Sequence, residues 1–241
     1  MRHIIYREDK IFMDEGLFFG RGVFETILWK DEPVFLNEHL ERIKGAMKQI
    51  GLLPLEEKEL REYLDKLSIK NKAVKITVTP LNIIITQREI HYKEEDYNRG
   101  MTLTISKVRR NSTSLLSYIK SICYIENIIE KESAKKMGYD DIIFLNEKGY
   151  VTETSCANIV IVKNNEIFTP KVEDGLLDGI IRRKIIENFK VEEKSITLEE
   201  LKTSDEVIIT NSLMGSMSIK KIDDIKYENE EFRNIFNKVI E

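Results

Sequence analysis

The sequence predicts an α+β protein in two parts, a small N-terminal domain and a larger C-terminal one. Three observations carry this: short β-branched runs alternate with amphipathic helical stretches, a polar aperiodic break falls at 107–117, and 241 residues hold one large domain or two small ones. With 41% hydrophobic and 33% charged residues the chain can bury a core and keep a solvated surface.

In the first part, Leu40, Ile43, Met47 and Ile50 recur at helical spacing behind Asn37, a residue type suited to an N-cap. Leu60, Tyr63, Leu64 and Leu67 repeat the pattern behind the acidic turn at 56–59. Runs at 34–36, 74–79, 81–87 and 101–106 are rich in β-branched residues or alternate, and are expected to be strands. These elements define an N-terminal domain over 1–106. The Ser/Thr/Asn-rich stretch 107–117 is expected to be an interdomain linker, followed by a C-terminal domain over 118–241. That domain opens with a long helix carrying Ile119, Ile122, Ile125, Ile128, Ile129 and Met137, ended by Gly138. Strands at 141–145, 151–154 and 158–162 read as a meander around the turn 146–149. A helix over 180–189, a short helix capped by Thr197 with Glu200, a strand at 206–210 and a helix near 230–240 complete the chain.

Several function classes lose ground on composition. Lys+Arg 38 against Asp+Glu 42 gives a net charge of −4, without the basic footprint of a nucleic-acid binder. No apolar run reaches the roughly 20 residues of a bilayer span, and the N-terminus builds no signal-peptide core, so a cytoplasmic protein without a membrane partner is expected. Cys123 and Cys156 form no CxxC pair and read as small buried hydrophobes. His3, His39 and His91 lack metal-ligand spacing, so no metal is expected. Gly20-Arg21-Gly22 lacks the third glycine of a dinucleotide loop.

Four ordered blocks point elsewhere. FFGRGVFETILWKDEPVFLNEHLERI at 18–43, SYIKSICYIENIIEKESAKKMGYDDIIFLNEKGYVTETSCANIVIV at 117–162, FTPKVEDGLLDGIIRRKII at 168–186 and TNSLMG at 210–215 together resemble the signatures of class IV (fold type IV) pyridoxal-phosphate aminotransferases and lyases. The resemblance spans roughly residues 18–222. It implies a fold type IV architecture with a barrel-like C-terminal domain, pyridoxal 5′-phosphate as cofactor, a small-molecule amino substrate and a homodimer.

The roles it implies have physical reasons. The family pattern assigns the Schiff-base amine to Lys120, whose apolar flanks Ile119 and Ile122 disfavour a charged amine; taken alone, the same residue reads as a snorkelling helix lysine. Glu153 is the carboxylate that would keep the cofactor's ring nitrogen protonated, although an exposed strand-end glutamate is the plainer reading of the residue by itself. Gly179, Ile180 and Ile181 open a helix whose amides suit a phosphate, with Arg42 as the accompanying cation. Ile181 stands where the family usually has Thr. Tyr124 is expected to hold the phenolic oxygen. Thr210, Asn211 and Ser212 are expected to reach phosphate or a substrate carboxylate, and Arg109 a substrate carboxylate.

Within the family the chain looks most like the 4-amino-4-deoxychorismate lyases, which give pyruvate and the folate precursor 4-aminobenzoate; Lys120 would move the proton and Thr26 would position or protonate the leaving group. Val23–Thr26, the 107–112 run and the 210–215 turn favour that reading. An aminotransferase acting on D-amino or branched-chain amino acids is the alternative, since Ser218 and Thr79-Pro80 depart from the pattern. A cofactor-free binding homologue is the second alternative.

Overall fold

The computed structural model describes residues 1–8 and 10–240, excepting the side chains of 239 and 240. Its residues gather into two compact units, Met1–His91 with Ile119–Tyr124, and Tyr92–Tyr118 with Ile125–Glu241.

The first unit contains β1 (His3–Tyr6), α1 (Glu15–Phe19), β2 (Val23–Trp29), α2 (Leu36–Gln49), α3 (Glu57–Leu64), β3 (Lys72–Val78) and β4 (Asn82–Arg88). Its four-stranded sheet runs β1-β4-β3-β2, with β1 parallel to β4 and the other pairs antiparallel. Period-2 alternation sends Val23, Ile27, Val74, Ile76, Ile83 and Ile85 to one face, where they are buried with Leu40, Ile43 and Met47 of α2 and Leu60 and Leu64 of α3. The register pairs Thr26 with Lys75 on the opposite face.

The start of α2 differs from the expectation at two points. Residues 34–36 form no strand: Trp29 bridges to Pro33 and the Val34 amide donates to the Leu28 carbonyl at 2.9 Å, which turns the chain directly into α2. Because of that turn the N-cap is Phe35, at φ 56°, and Asn37 lies inside the first helical turn, its Oδ1 accepting from Arg61 at 2.8 Å.

The second unit contains α4 (Glu94–Arg99), β5 (Met101–Arg110), α5 (Ile125–Lys136), β6 (Asp141–Asn146), β7 (Tyr150–Thr154), β8 (Asn158–Lys163), β9 (Glu166–Pro170), α6 (Ile180–Asn188), β10 (Val191–Lys194), β11 (Ile196–Thr197), α7 (Leu198–Lys202), β12 (Glu206–Asn211), β13 (Gly215–Ile222), β14 (Ile225–Lys226) and α8 (Glu231–Ile240). The path β8-β12-β13-β5-β6-β7 closes on itself through a β7–β8 pairing, giving a six-stranded barrel within a larger sheet. Leu103, Ile143, Val151, Ile159, Ile209 and Met217 fill its core. The expected barrel-like part is present, as are the meander β6-β7-β8 and the Thr197–Glu200 capping box.

The division of the chain differs from the one expected. Residues 107–110 are not a linker; they finish β5, which lies parallel to both β6 and β13 and so belongs to the barrel wall. The long helix is shorter than its apolar pattern, since only 125–136 is helical and Gly138, at φ 88°, closes it; residues 119–124 belong to the first unit instead. Among the described residues no helix is long and apolar enough to cross a membrane.

Ile143 is fully buried in the barrel, so Ile143→Ala is expected to cost about 2–5 kcal/mol through lost transfer energy and a residual cavity, read from urea denaturation.

Candidate active site

The segment 119–124 lies along β2 because two glycines let it. Gly20 takes φ 69°, and a Cβ there would stand 2.5 Å from the Cys123 sulfur. At Gly22 a Cβ would stand 2.8 Å from Ile122 Cδ1 and 2.9 Å from the Val78 carbonyl oxygen. The close approach is fixed by the Phe24 amide donating to the Lys120 carbonyl at 2.9 Å and the Ile122 amide donating to the Gly22 carbonyl at 3.0 Å. The glycine pair thus serves a backbone approach. Cys123 is exposed rather than a buried hydrophobe, because its segment lies at this surface edge, and Cys156 is half-buried.

This pairing carries the Lys120 amine over the Phe24 ring, 4.5 Å from its centroid, with the Tyr124 ring centroid 5.3 Å from the same nitrogen. Phe24 and Tyr124 meet edge to face at 5.4 Å. Tyr124 therefore neighbours Lys120 on a segment that is not helical. Lys75, exposed on β3, places its own Nζ 4.2 Å from the Phe24 centroid, and Thr26 is directly opposite it in the sheet. Partial desolvation and the Arg88 charge hold the Lys75 amine below the usual lysine pKa.

Behind β2 is a buried ionic cluster. Glu25, 1% exposed, accepts from Arg42 Nε and Nη2, each at 2.7 Å, and lies 2.7 Å from His39 Nδ1. Burial alone would raise the Glu25 pKa; Arg42 and His39 more than offset it and bring it down to about 2. Burial lowers the His39 pKa, so the ring is held neutral. Arg42 thus turns the fork edge of its guanidinium to Glu25, a partner that the sequence reading missed.

The second unit holds a polar row across four strands. Register pairs Glu153 of β7 with Asn158 of β8, Asn158 with Thr210 of β12, and Thr210 with Ser216 of β13, on the face opposite the barrel core. Glu153 Oε2 accepts from the Leu177 amide at 3.2 Å, and its Oε1 is 3.9 Å from Arg110 Nη2. Asn158 donates to the Leu177 carbonyl at 2.7 Å, and a Cβ at Gly179 would stand 1.9 Å from Asn158 Oδ1, so only glycine fits at the start of α6. Ile180 and Ile181, both buried, follow in the first turn of that nine-residue helix. Thr210 Oγ1 is buried without a hydrogen-bond partner among the described residues.

Asn211 shapes the chain here: its Oδ1 accepts from the Leu213 and Met214 amides, both at 2.9 Å, making the turn that Ser212 occupies. Arg109, at the end of β5, is exposed and donates to the Ser106 carbonyl at 2.6 Å.

The family model described as Amino-transferase class IV matches residues 22–222. The chain belongs to the class IV aminotransferases. An aminodeoxychorismate lyase of Bacillus subtilis is 31% identical over 89% of this chain and 82% of that protein. A D-alanine aminotransferase of Listeria monocytogenes is 31% identical over 93% and 86%. A branched-chain aminotransferase of Thermoproteus uzoniensis, solved with norvaline, superposes with a TM-score of 0.86 at 26% identity, covering 96% of this chain and 89% of that one.

Class IV aminotransferases work through pyridoxal 5′-phosphate, and this chain's residues suit that group. The second unit offers an orphaned buried hydroxyl, a carboxylate held by a backbone amide and a helix start where a side chain would collide. The first offers an amine packed on two aromatic rings.

The buried cluster fixes an acid response. His39 and Glu25 both have folded pKa values below their ordinary values of 6.5 and 4.5, so each contributes stability that is complete above the ordinary value and lost as pH falls through the window below it. Stability is expected to decline below pH 6.5 and again between 4.5 and about 2, the second step amounting to roughly 3 kcal/mol. Urea denaturation at stepped pH should show the lower step vanish in Glu25→Gln.

Proposed function

We propose that the protein is a 4-amino-4-deoxychorismate lyase, releasing pyruvate and 4-aminobenzoate. The observation that carries this reading is the face of β2 and β3, where Lys120 and Lys75 flank Phe24 and Thr26 stands opposite Lys75. A substrate with two carboxylates and a departing enolpyruvyl oxygen needs a cation and a hydroxyl beside the reacting amine. Identity to the Bacillus subtilis lyase supports the choice.

When bound, pyridoxal phosphate supplies an electron sink that acidifies the substrate carbon bearing the amine. From the first unit we assign Lys120 to covalent attachment and proton transfer at that carbon, Tyr124 to orienting the cofactor ring, and Arg42 to its phosphate. From the second we assign Glu153 to the ring nitrogen and the amides of Gly179, Ile180 and Ile181 to the phosphate, where the loss of a Thr hydroxyl at Ile181 leaves the backbone donor intact. Thr210 and Ser212 meet phosphate or carboxylate, Asn211 acts by holding their turn, and Arg109 offers a carboxylate contact at the surface. Thr26 Oγ1 delivers a proton to the leaving enolpyruvyl group, Lys75 holds a carboxylate, and loss of the ring proton with that group aromatises the ring.

Purified holoenzyme given aminodeoxychorismate is expected to yield 4-aminobenzoate and pyruvate in equal amounts by chromatography. Thr26→Val should slow turnover about 100-fold while retaining cofactor, and Lys120→Ala should abolish both turnover and the borohydride-fixed label on that peptide. The equal identity to a D-alanine aminotransferase favours a second reading, amine transfer to 2-oxoglutarate; that transfer without 4-aminobenzoate would replace the first.

We also infer a homodimer. Phe12, Met13, Leu17, Phe18, Phe19 and Leu81 are exposed, and Asp14 gathers their segments by accepting from the Gly16 and Leu81 amides, both at 2.8 Å. So much apolar surface suits a self-complementary contact with a second copy. Light scattering should give twice the 28.3 kDa chain mass, and Phe18→Glu with Phe19→Glu should return it to one.

A further inference from the structure

Glu25 is an unusual residue to find facing a helix-packed core. It occupies a strand position between Val23 and Ile27, both buried, and its side chain is 2% exposed. A carboxylate there costs several kcal/mol in desolvation unless its partners are complete. The partners come from one turn of α2: His39 and Arg42, three residues apart, face β2 together. Arg42 meets Glu25 edge-on through Nε and Nη2, the geometry that fixes a guanidinium plane, whereas a single contact would leave it free to swing. His39 is completely buried, its neutral ring braces the second carboxylate oxygen, and its Nε2 has no hydrogen-bond partner among the described residues.

Such a cluster does little for stability that an apolar trio could not do. What it adds is orientation. We propose that Glu25, braced by His39, is a positioning residue that sets the plane of Arg42 for the cofactor phosphate, so that discrimination for a phosphorylated over an unphosphorylated cofactor depends on a side chain that never touches it. This rests on the reading of Arg42 as the phosphate cation given above. The cluster leaves Arg42 charge-paired before any phosphate arrives, so a phosphate gains from directed N–H groups more than from net charge.

The test compares equilibrium binding of pyridoxal 5′-phosphate and pyridoxal to the apoenzyme, followed by absorbance, for wild type, Glu25→Gln, Arg42→Met and the double variant. Glu25→Gln is expected to lower the ratio of the two affinities about tenfold, Arg42→Met at least as much, and the double variant no more than Arg42→Met alone. A general loss of structure would weaken both ligands alike and leave the ratio unchanged. Where Glu25→Gln is unstable, Glu25→Asp keeps the buried charge, retracts it by one methylene and should lower the ratio about threefold. A wild-type ratio in Glu25→Gln or Glu25→Asp, or losses that add in the double variant, would overturn the positioning role while Arg42→Met still shows its own effect. A wild-type ratio in Arg42→Met would overturn the phosphate reading of Arg42 and this inference with it.

Discussion

Two backbone hydrogen bonds decide where the Lys120 amine of the first unit can be. The Phe24 amide holds the Lys120 carbonyl and the Ile122 amide holds the Gly22 carbonyl, so a six-residue segment that is remote in sequence becomes an edge of β2. With its backbone tied on both sides, Lys120 has only its side-chain torsions left, and Phe24 and Tyr124 limit those. The glycines at 20 and 22 are the condition for the approach, since any side chain would meet Cys123, Ile122 or the Val78 carbonyl below van der Waals distance. A flexible lysine thereby becomes an amine of defined position.

The same economy recurs in the polar parts. Three polar side chains are held in this way: Glu25 by Arg42 and His39, Glu153 by the Leu177 amide, Asn158 by the Leu177 carbonyl. Residues 177 to 179 therefore serve two strands at once, and the collision awaiting a Cβ at Gly179 shows how closely α6 begins against β8. Thr210 breaks this pattern. Its hydroxyl is buried in the same cross-strand row yet has no hydrogen-bond partner among the described residues, which carries a desolvation cost.

Much of this was legible in the sequence where period and position agreed. The strands β3, β4, β6, β7 and β8 alternate or run apolar between clear turns, and all five are present close to their expected bounds. The 119–124 segment was not legible, because Ile119, Ile122 and Ile125 recur three apart like a helix stripe while going to three different places: the core of the first unit, the gap above Gly22, and solvent. Strand β13 was hidden by Ser216, Ser218 and two lysines, although Met217 and Ile219 alternate into the barrel. Arg42 could be picked out by its motif, but its partner Glu25 could not, since nothing in a strand's pattern says that a carboxylate faces inward until the helix carrying His39 and Arg42 is laid against it. Lys75 shares that limitation: alternation puts it opposite Ile76 and Val74, but its place above Phe24 depends on β2–β3 register.

The division between held and unheld positions bears on how one scaffold serves lyases and aminotransferases. Lys120 is fixed by main-chain pairing, Gly179 by its closeness to the Asn158 side chain and Glu153 by the Leu177 amide, so changing the elements around them disturbs the fold. Thr26 and Lys75 point away from the core of the first unit, on strand positions whose neighbours on either side are buried. Substitution there leaves the packed face untouched and costs little stability. The face of β2 and β3 is therefore where side chains can change with least disturbance to the fold, and Thr26 and Lys75 are the residues this chain places there.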